Sequence, residues 1–227
     1  MSNQFDRQNL VLGGDSAARL AEKTVLICGL GGVGGHLLEA LARTGIGHIA
    51  AADEDVFEPS NLNRQLLCTY ETIGKHKTEA AAQRVCLINP TARFSGETLR
   101  LDAESIPLLL DKYRPDYVAD AVDDTAAKVC LAVEAGRRGM EIISCMGAGN
   151  RVDPMGFLCA DIYQTSVCPL AKTMRGLLKK HGVKRLKTVY SREAPSVHGG
   201  AVGSVSYVPA AAGLLMAAEI VKGLLKT

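Results

Sequence analysis

The residues from 24 to 64 most constrain what this chain can fold into. They open on an apolar strand, Thr24-Val-Leu-Ile-Cys28, and turn through Gly29-Leu-Gly31-Gly32-Val-Gly34. The pattern predicts an apolar helix from about 37 to 43 and a second strand over 46–52, ending at Asp53. A strand, a Gly-rich turn and a helix N-terminus make a phosphate cradle. Free N–H groups and the positive end of the helix dipole face the anion, and glycines let the backbone come close. Asp53 follows Gly29 by 24 residues, where a strand-end carboxylate can bond a ribose hydroxyl. These features alone say only nucleotide, and most often suggest a dinucleotide dehydrogenase.

The remaining chain continues the alternation. Residues 5–22 hold a Gly13-Gly14 break and a short helix expected to be capped by Asp15 or Ser16. After Gly74-Lys75-His76-Lys77, an Ala-rich helix is expected over 78–88, stopped by Asn89-Pro90. Strands are expected over 92–98, 116–120 and 141–146, with helices over 102–110 and 125–138 between them. The texture then changes to an antiparallel strand over 157–163, a helix from Pro169 to about 181, a strand over 187–191 and an apolar helix over 208–225. The stretch 194–204, rich in Gly, Ser and Pro, reads as a mobile loop. The expected fold is α/β: a Rossmann-like doubly wound, mostly parallel sheet with an antiparallel C-terminal extension of the same sheet. The whole chain, 1–227, reads as a single domain, with a nucleotide-binding core over 1–150 and a substrate-binding extension over 151–227.

Local charge leaves several readings open. Lys75 and Lys77 stand at a helix start, where a cation opposes the dipole, so either an anion lies nearby or the turn is simply solvated. Asp120, Asp123 and Asp124 cluster at a strand end, where carboxylates can hold Mg²⁺, but Asp124 equally suits a helix cap. Eight Lys or Arg and no acid fall between 172 and 192: a solvated face, or a grip on an anionic polymer. The seven scattered Cys, with no CxxC, read as reduced, buried thiols. The apolar run 207–218, interrupted by Glu219, reads as too short to span a bilayer.

A dehydrogenase needs a hydride pocket with a proton donor, and nothing after Gly147 supplies a clear pair. Arg7, Asn61, Arg64, Lys77 and Asp123 instead assemble cations and a carboxylate at one sheet end. That set suits ATP with attack at phosphorus better than a nicotinamide dinucleotide.

Five blocks, Gly29-Leu-Gly-Gly-Val-Gly34, Asp53-Glu-Asp55, Ser60-Asn-Leu-Asn-Arg-Gln65, Lys77 and Asp120-Ala-Val-Asp-Asp124, resemble the ATP-binding core of the ubiquitin-activating-like superfamily, which includes sulfur-carrier adenylyltransferases. The resemblance implies a nucleotide-binding set of Gly29, Gly31, Gly32, Gly34, Asp53, Asp55, Ser60, Asn61, Asn63, Arg64, Lys77, Asp123 and Asp124. Asp123 would also serve Mg²⁺. Arg7 resembles the arginine that reaches into a partner subunit's site, implying a homodimer and a catalytic set of Arg7, Arg64, Lys77 and Asp123.

Further blocks, Ser144-Cys-Met-Gly-Ala-Gly-Asn-Arg-Val-Asp-Pro154, Asp161-Ile-Tyr-Gln-Thr165, Pro169-Leu-Ala171, Arg175 and Tyr190-Ser-Arg-Glu-Ala-Pro195, are similar to the tRNA threonylcarbamoyladenosine dehydratase branch. This implies ATP-dependent ring closure of the threonylcarbamoyl group on a tRNA adenosine beside the anticodon. The reaction would run through a carboxyl-adenylate and release AMP and pyrophosphate. Arg175, Lys179, Lys180, Lys184 and Arg185 would grip the tRNA. Also implied are a monovalent cation (K⁺ or Na⁺), a sulfur-relay protein partner, a cytoplasmic location and no membrane. Cys168 stands where the branch has Asp. Absence of paired CxxC motifs argues against structural zinc, and against the alternative, activation of a sulfur-carrier or ubiquitin-like C-terminus.

Overall fold

The computed structural model describes residues 3–196 and 202–226. Two short helices, α1 (Asp6–Leu12) and α2 (Ser16–Ala21), precede β1 (Thr24–Cys28), α3 (Gly32–Thr44) and β2 (His48–Ala52). Then come α4 (Lys77–Ile88), β3 (Arg93–Glu97), α5 (Ser105–Tyr113), β4 (Tyr117–Asp120), α6 (Thr125–Arg137) and β5 (Glu141–Cys145). The chain ends with β6 (Phe157–Asp161), α7 (Pro169–Lys180), β7 (Lys187–Ser191) and α8 (Tyr207–Lys226).

The seven strands form one sheet in the order β3-β2-β1-β4-β5-β7-β6. All neighbours are parallel except β6 and β7, which pair antiparallel from Phe157↔Ser191 to Asp161↔Lys187. This is the expected mixed sheet. Side chains alternate across a strand, so β1 feeds two cores: Val25 and Ile27 join α3, α4 and α8, while Leu26 and Cys28 join α5 and α6. Strands buried on both faces read as unbroken apolar runs for this reason. A third core, with Ile162, Met174, Leu178 and Tyr190, seats α7. Chain order reverses between β1 and β4, opening a crevice at their carboxyl ends.

Several boundaries differ from the expectation, each for a physical reason. Helix α3 begins at Gly32, five residues before 37, although glycine is a poor helix former. Close approach requires it: a Cβ on Gly34 would overlap the Gly29 carbonyl oxygen. Strand β2 starts at His48 rather than 46, because Gly47 threads past Ala21 with no room for a Cβ. Helix α5 starts at Ser105, not 102. Asp102 stands outside it and accepts the Glu104 and Ser105 amides at 2.9 Å. Pro107 then falls in the first turn, where its missing N–H breaks no intrahelical bond. Neither Asp15 nor Ser16 caps α2; Asn9 Oδ1, from α1, accepts the Ala17 amide at 3.2 Å and the Ser16 hydroxyl at 2.9 Å.

Helix α8 corrects the short-run reading. It has 20 residues and a mean hydropathy of 1.6, long and apolar enough to span a bilayer by length and composition. Its apolar character is explained by packing: Ala212, Met216 and Ile220 are fully buried, and a Cβ on Gly213 would overlap the Val33 carbonyl of α3. The proposed mobile loop, 194–204, lies partly outside the described residues.

Candidate active site

A cavity of about 800 Å³ opens at the carboxyl ends of β1, β2, β4 and β5. Its floor is the Gly-rich turn. Gly29 has φ +92° and a Cβ there would stand 2.8 Å from the Ala121 oxygen, so only glycine fits. Gly31 caps α3 without any side-chain bond, and a Cβ on it would meet nothing within 4 Å. Gly31, Gly32 and Val33 line the cavity, so the start of α3 borders open space of the kind a phosphate fills.

Asp53 is buried. Its Oδ2 accepts the Leu30 amide at 2.6 Å and its Oδ1 the Asp55 amide at 2.9 Å, so it shapes the glycine turn while lining the cavity. Lys77 is buried too, with Nζ 2.6 Å from Asp55 and 3.5 Å from Asp53. Two carboxylates of the same chain thus offset the charge that seemed misplaced at the start of α4. Arg64 lines the cavity and donates to Ser60 O at 2.9 Å and Asn63 Oδ1 at 3.0 Å. Asn61, also in the lining, fixes that turn by accepting the Glu58 amide at 3.1 Å. Ser60 and Asn63 are not in the lining; they hold Arg64 from behind.

The three aspartates at the end of β4 and just beyond it separate into three roles. Asp123 is exposed on the cavity rim. Asp124 lines the cavity but caps α6, accepting the Ala127 amide at 2.7 Å. Asp120 is fully buried against Lys128 at 3.1 Å and faces no solvent. Gly34 lies outside the lining and serves packing. Arg7 is exposed on α1 and also outside it.

The other wall is built by Cys145, Met146, Gly147, Ala148 and Gly149 after β5, with Leu170, Val202, Ser204 and Pro209. Of these, sequence reasoning had assigned none to the cavity, and it missed Lys128 altogether. The signal was there for Lys128: one charge inside Ala126-Ala-Lys-Val-Cys-Leu-Ala132. Burial pushes the Cys145 thiol up to about 12, so it stays protonated and is a poor nucleophile. All seven cysteines are free; Cys28, Cys68, Cys145 and Cys168 are buried, whereas Cys86 is exposed, unlike the expectation.

The basic segment splits as well. Arg175 is partly buried and donates to Thr165 O at 3.0 Å and to the Thr165 hydroxyl. Lys179, Lys180, Lys184 and Arg185 are exposed. Lys184 and Arg185 line a second cleft of about 740 Å³ with Arg137, His181 and Lys187. That cleft touches Glu141, the first residue of β5, whereas the first cavity touches Cys145, its last.

Cys168 caps α7 without a side-chain bond. Nearby Arg151 is 3% exposed; its Nη1 donates to Gly149 O at 2.9 Å, while Nε and Nη2 have no partner among the described residues. Both Nη1 and the Cys168 Sγ lie within 3.7 Å of the point a Gly147 Cβ would take. Cys168→Asp should supply a cap and a counter-ion together. The expected gain is about 1 kcal/mol, read as a melting temperature raised by about 3 °C; a fall in calorimetry would refute it.

The ThiF family profile matches residues 5–227. The chain belongs to the ThiF family. Among its relatives, this ThiF-family chain is 35% identical to the tRNA threonylcarbamoyladenosine dehydratase of Bacillus subtilis, over all of this chain and 96% of that one. The crystal structure of the E. coli tRNA N6-threonylcarbamoyladenosine dehydratase in complex with ATP superposes with a TM-score of 0.92. Its sequence is 28% identical, and the match covers 98% of this chain and 94% of that one. A Vanderwaltozyma polyspora adenylyltransferase and sulfurtransferase is 34% identical, but over only 65% of this chain and 34% of its own length.

Proposed function

We propose that this ThiF-family chain is an ATP-dependent, adenylate-forming tRNA threonylcarbamoyladenosine dehydratase. It closes the threonylcarbamoyl group on the adenosine beside the anticodon into a ring, releasing AMP and pyrophosphate. The observation that carries this reading is the two-sided cavity: a phosphate cradle with Arg64 on one side, and the wall from Cys145 to Gly149 on the other. The full-length likeness to dehydratases supports the choice of acceptor.

The substrate carboxylate attacks the α-phosphorus in line, and a nitrogen or oxygen of its own urea group then closes on the acyl carbon and expels AMP. The net change is loss of water. Arg64, held by Ser60 and Asn63, fixes the phosphates, and the α3 amides offset their charge. Lys77, held at the cavity wall by Asp53 and Asp55, turns to the triphosphate when nucleotide enters. The free Asp123 carboxylate suits Mg²⁺, which is commonly held by one or two carboxylates plus substrate phosphates. When bound, that ion neutralises phosphate charge.

Arg7 acts across a homodimer. Its helix exposes Leu10 (87%) and Val11 (83%), an apolar face that a partner subunit would cover. The exposed Lys179 and Lys180 of α7, which Arg175 braces against Thr165, and Lys184 and Arg185 in the segment after it contact the tRNA backbone. Within one domain, residues 1–150 hold the nucleotide and 151–227 the acceptor, which also meets the wall over 145–149. A cytoplasmic location, a K⁺ or Na⁺ ion and a sulfur-relay partner belong to the same reading.

The test is AMP release on tRNA carrying or lacking the threonylcarbamoyl group. AMP should appear only with the modified tRNA, mole for mole with ring closure. Pyrophosphate exchange driven by a Gly-Gly-tailed carrier protein, without tRNA, would instead establish the sulfur-carrier activator.

A further inference from the structure

The residues following β4 and β5 form the two sides of the cavity: residues 121–124 beside the nucleotide cradle and 145–149 opposite. Beneath them one ammonium group ties both together. Lys128, on α6, is 1% exposed. Its Nζ donates to both Asp120 carboxylate oxygens at 3.1 Å, to Cys145 O at 2.6 Å and to Ser144 Oγ at 3.4 Å. Asp120 in turn accepts the Val122 amide at 3.2 Å and the Ser144 hydroxyl. Asp120 ends β4, opposite Ser144 in the parallel register, and Cys145 ends β5. The Lys128 amide also donates to Asp124 O at 3.1 Å, one turn into α6.

Stability alone gives little reason for this arrangement. Desolvating an ammonium and a carboxylate offsets most of their attraction, and apolar side chains of similar volume commonly do as well. What apolar residues cannot do is fix the Val122 amide and the Cys145 carbonyl to one shared point.

We propose that Lys128 is a positioning residue that sets the spacing between the two walls. Given the adenylate-forming reading, on which this rests, it thereby sets the in-line distance from the attacking carboxylate to the α-phosphorus. Each substrate meets mainly one wall, so its affinity depends on that wall. Attack requires both walls in register. Loss of Lys128 therefore lowers kcat and leaves the two KM values nearly unchanged.

The experiment compares the full-length protein with Lys128→Met and with the double variant Asp120→Leu/Lys128→Met. Melting temperature, kcat and both KM values are measured, together with hydrogen exchange at residues 121–124 and 145–149. Lys128→Met strands the Asp120 charge and lowers the melting temperature. The double variant carries no stranded charge and recovers it. In both, kcat for AMP release should stay about 100-fold below wild type, the scale of a 1 Å misplacement. Both KM values should hold within about threefold, and exchange should quicken at both walls. Recovery of kcat along with melting temperature in the double variant would overturn the proposal and leave Lys128 a stability element. A loss confined to the KM for ATP would overturn it too. Should the wild-type protein release no AMP with modified tRNA, the functional reading fails separately. Exchange at the two walls then decides the tie: faster in both variants supports it, unchanged refutes it.

Discussion

Asp123→Ala should lower AMP release on modified tRNA by about 10²–10³-fold, the usual loss when one electrostatic contact to a reacting group is removed. The neighbouring aspartates are otherwise engaged. Asp120 is committed to Lys128, Asp124 caps α6, and Asp53 and Asp55 hold Leu30 and Lys77. Asp123 is exposed in a loop, so the melting temperature should stay unchanged. The rate is read by chromatography of AMP at saturating ATP. A variant retaining more than about a tenth of the wild-type rate would remove Asp123 from the chemistry.

The second large effect is on the fold. Alanine is favoured over glycine in a helix interior by about 1 kcal/mol, so Gly34→Ala on an unconstrained helix would stabilise. Here the sign reverses, because the added Cβ overlaps the Gly29 carbonyl. Gly29 is held on both sides of the turn: its amide donates to Ala52 O at 2.8 Å, and the segment after β4 lies so near that a Cβ on Gly29 would stand 2.8 Å from the Ala121 oxygen. Overpacking of this kind costs about 3 kcal/mol, a melting temperature lower by about 6–12 °C. Gly31→Ala is the control: its Cβ meets open space, so the fold should survive while ATP affinity, measured by titration calorimetry, falls. Equal melting temperatures for both variants would show that the turn is not close-packed.

These variants also mark how far the sequence could be read. The order of strands and helices, the antiparallel pair at the end and the phosphate cradle follow from apolar periodicity and glycine placement. The start of α3 did not, because propensity counts a glycine against a helix and says nothing of the carbonyl that demands it. Spacing could not divide Asp120, Asp123 and Asp124, since one is buried at the end of β4, one is on the rim and one on a helix end. The misplaced charge of Lys77 is resolved by Asp55, 22 residues away, which no local rule reveals. Likewise the eight-cation segment is continuous in sequence, yet Arg175 turns inward and Lys187 approaches Glu219 at 3.7 Å.

The strand order carries a consequence for how the chain is made. Strand β7 lies between β5 and β6 although it is synthesised after both. Until residue 191 has left the ribosome, β5 is an open edge and β6 has no neighbour to pair with. The cradle turn and β5, whose end begins the opposite wall, are made by then, but β5 still lacks its neighbour β7 and α3 still lacks α8 to pack against. A chain cut short before β7 therefore presents the unpaired edge of β5 to its neighbours.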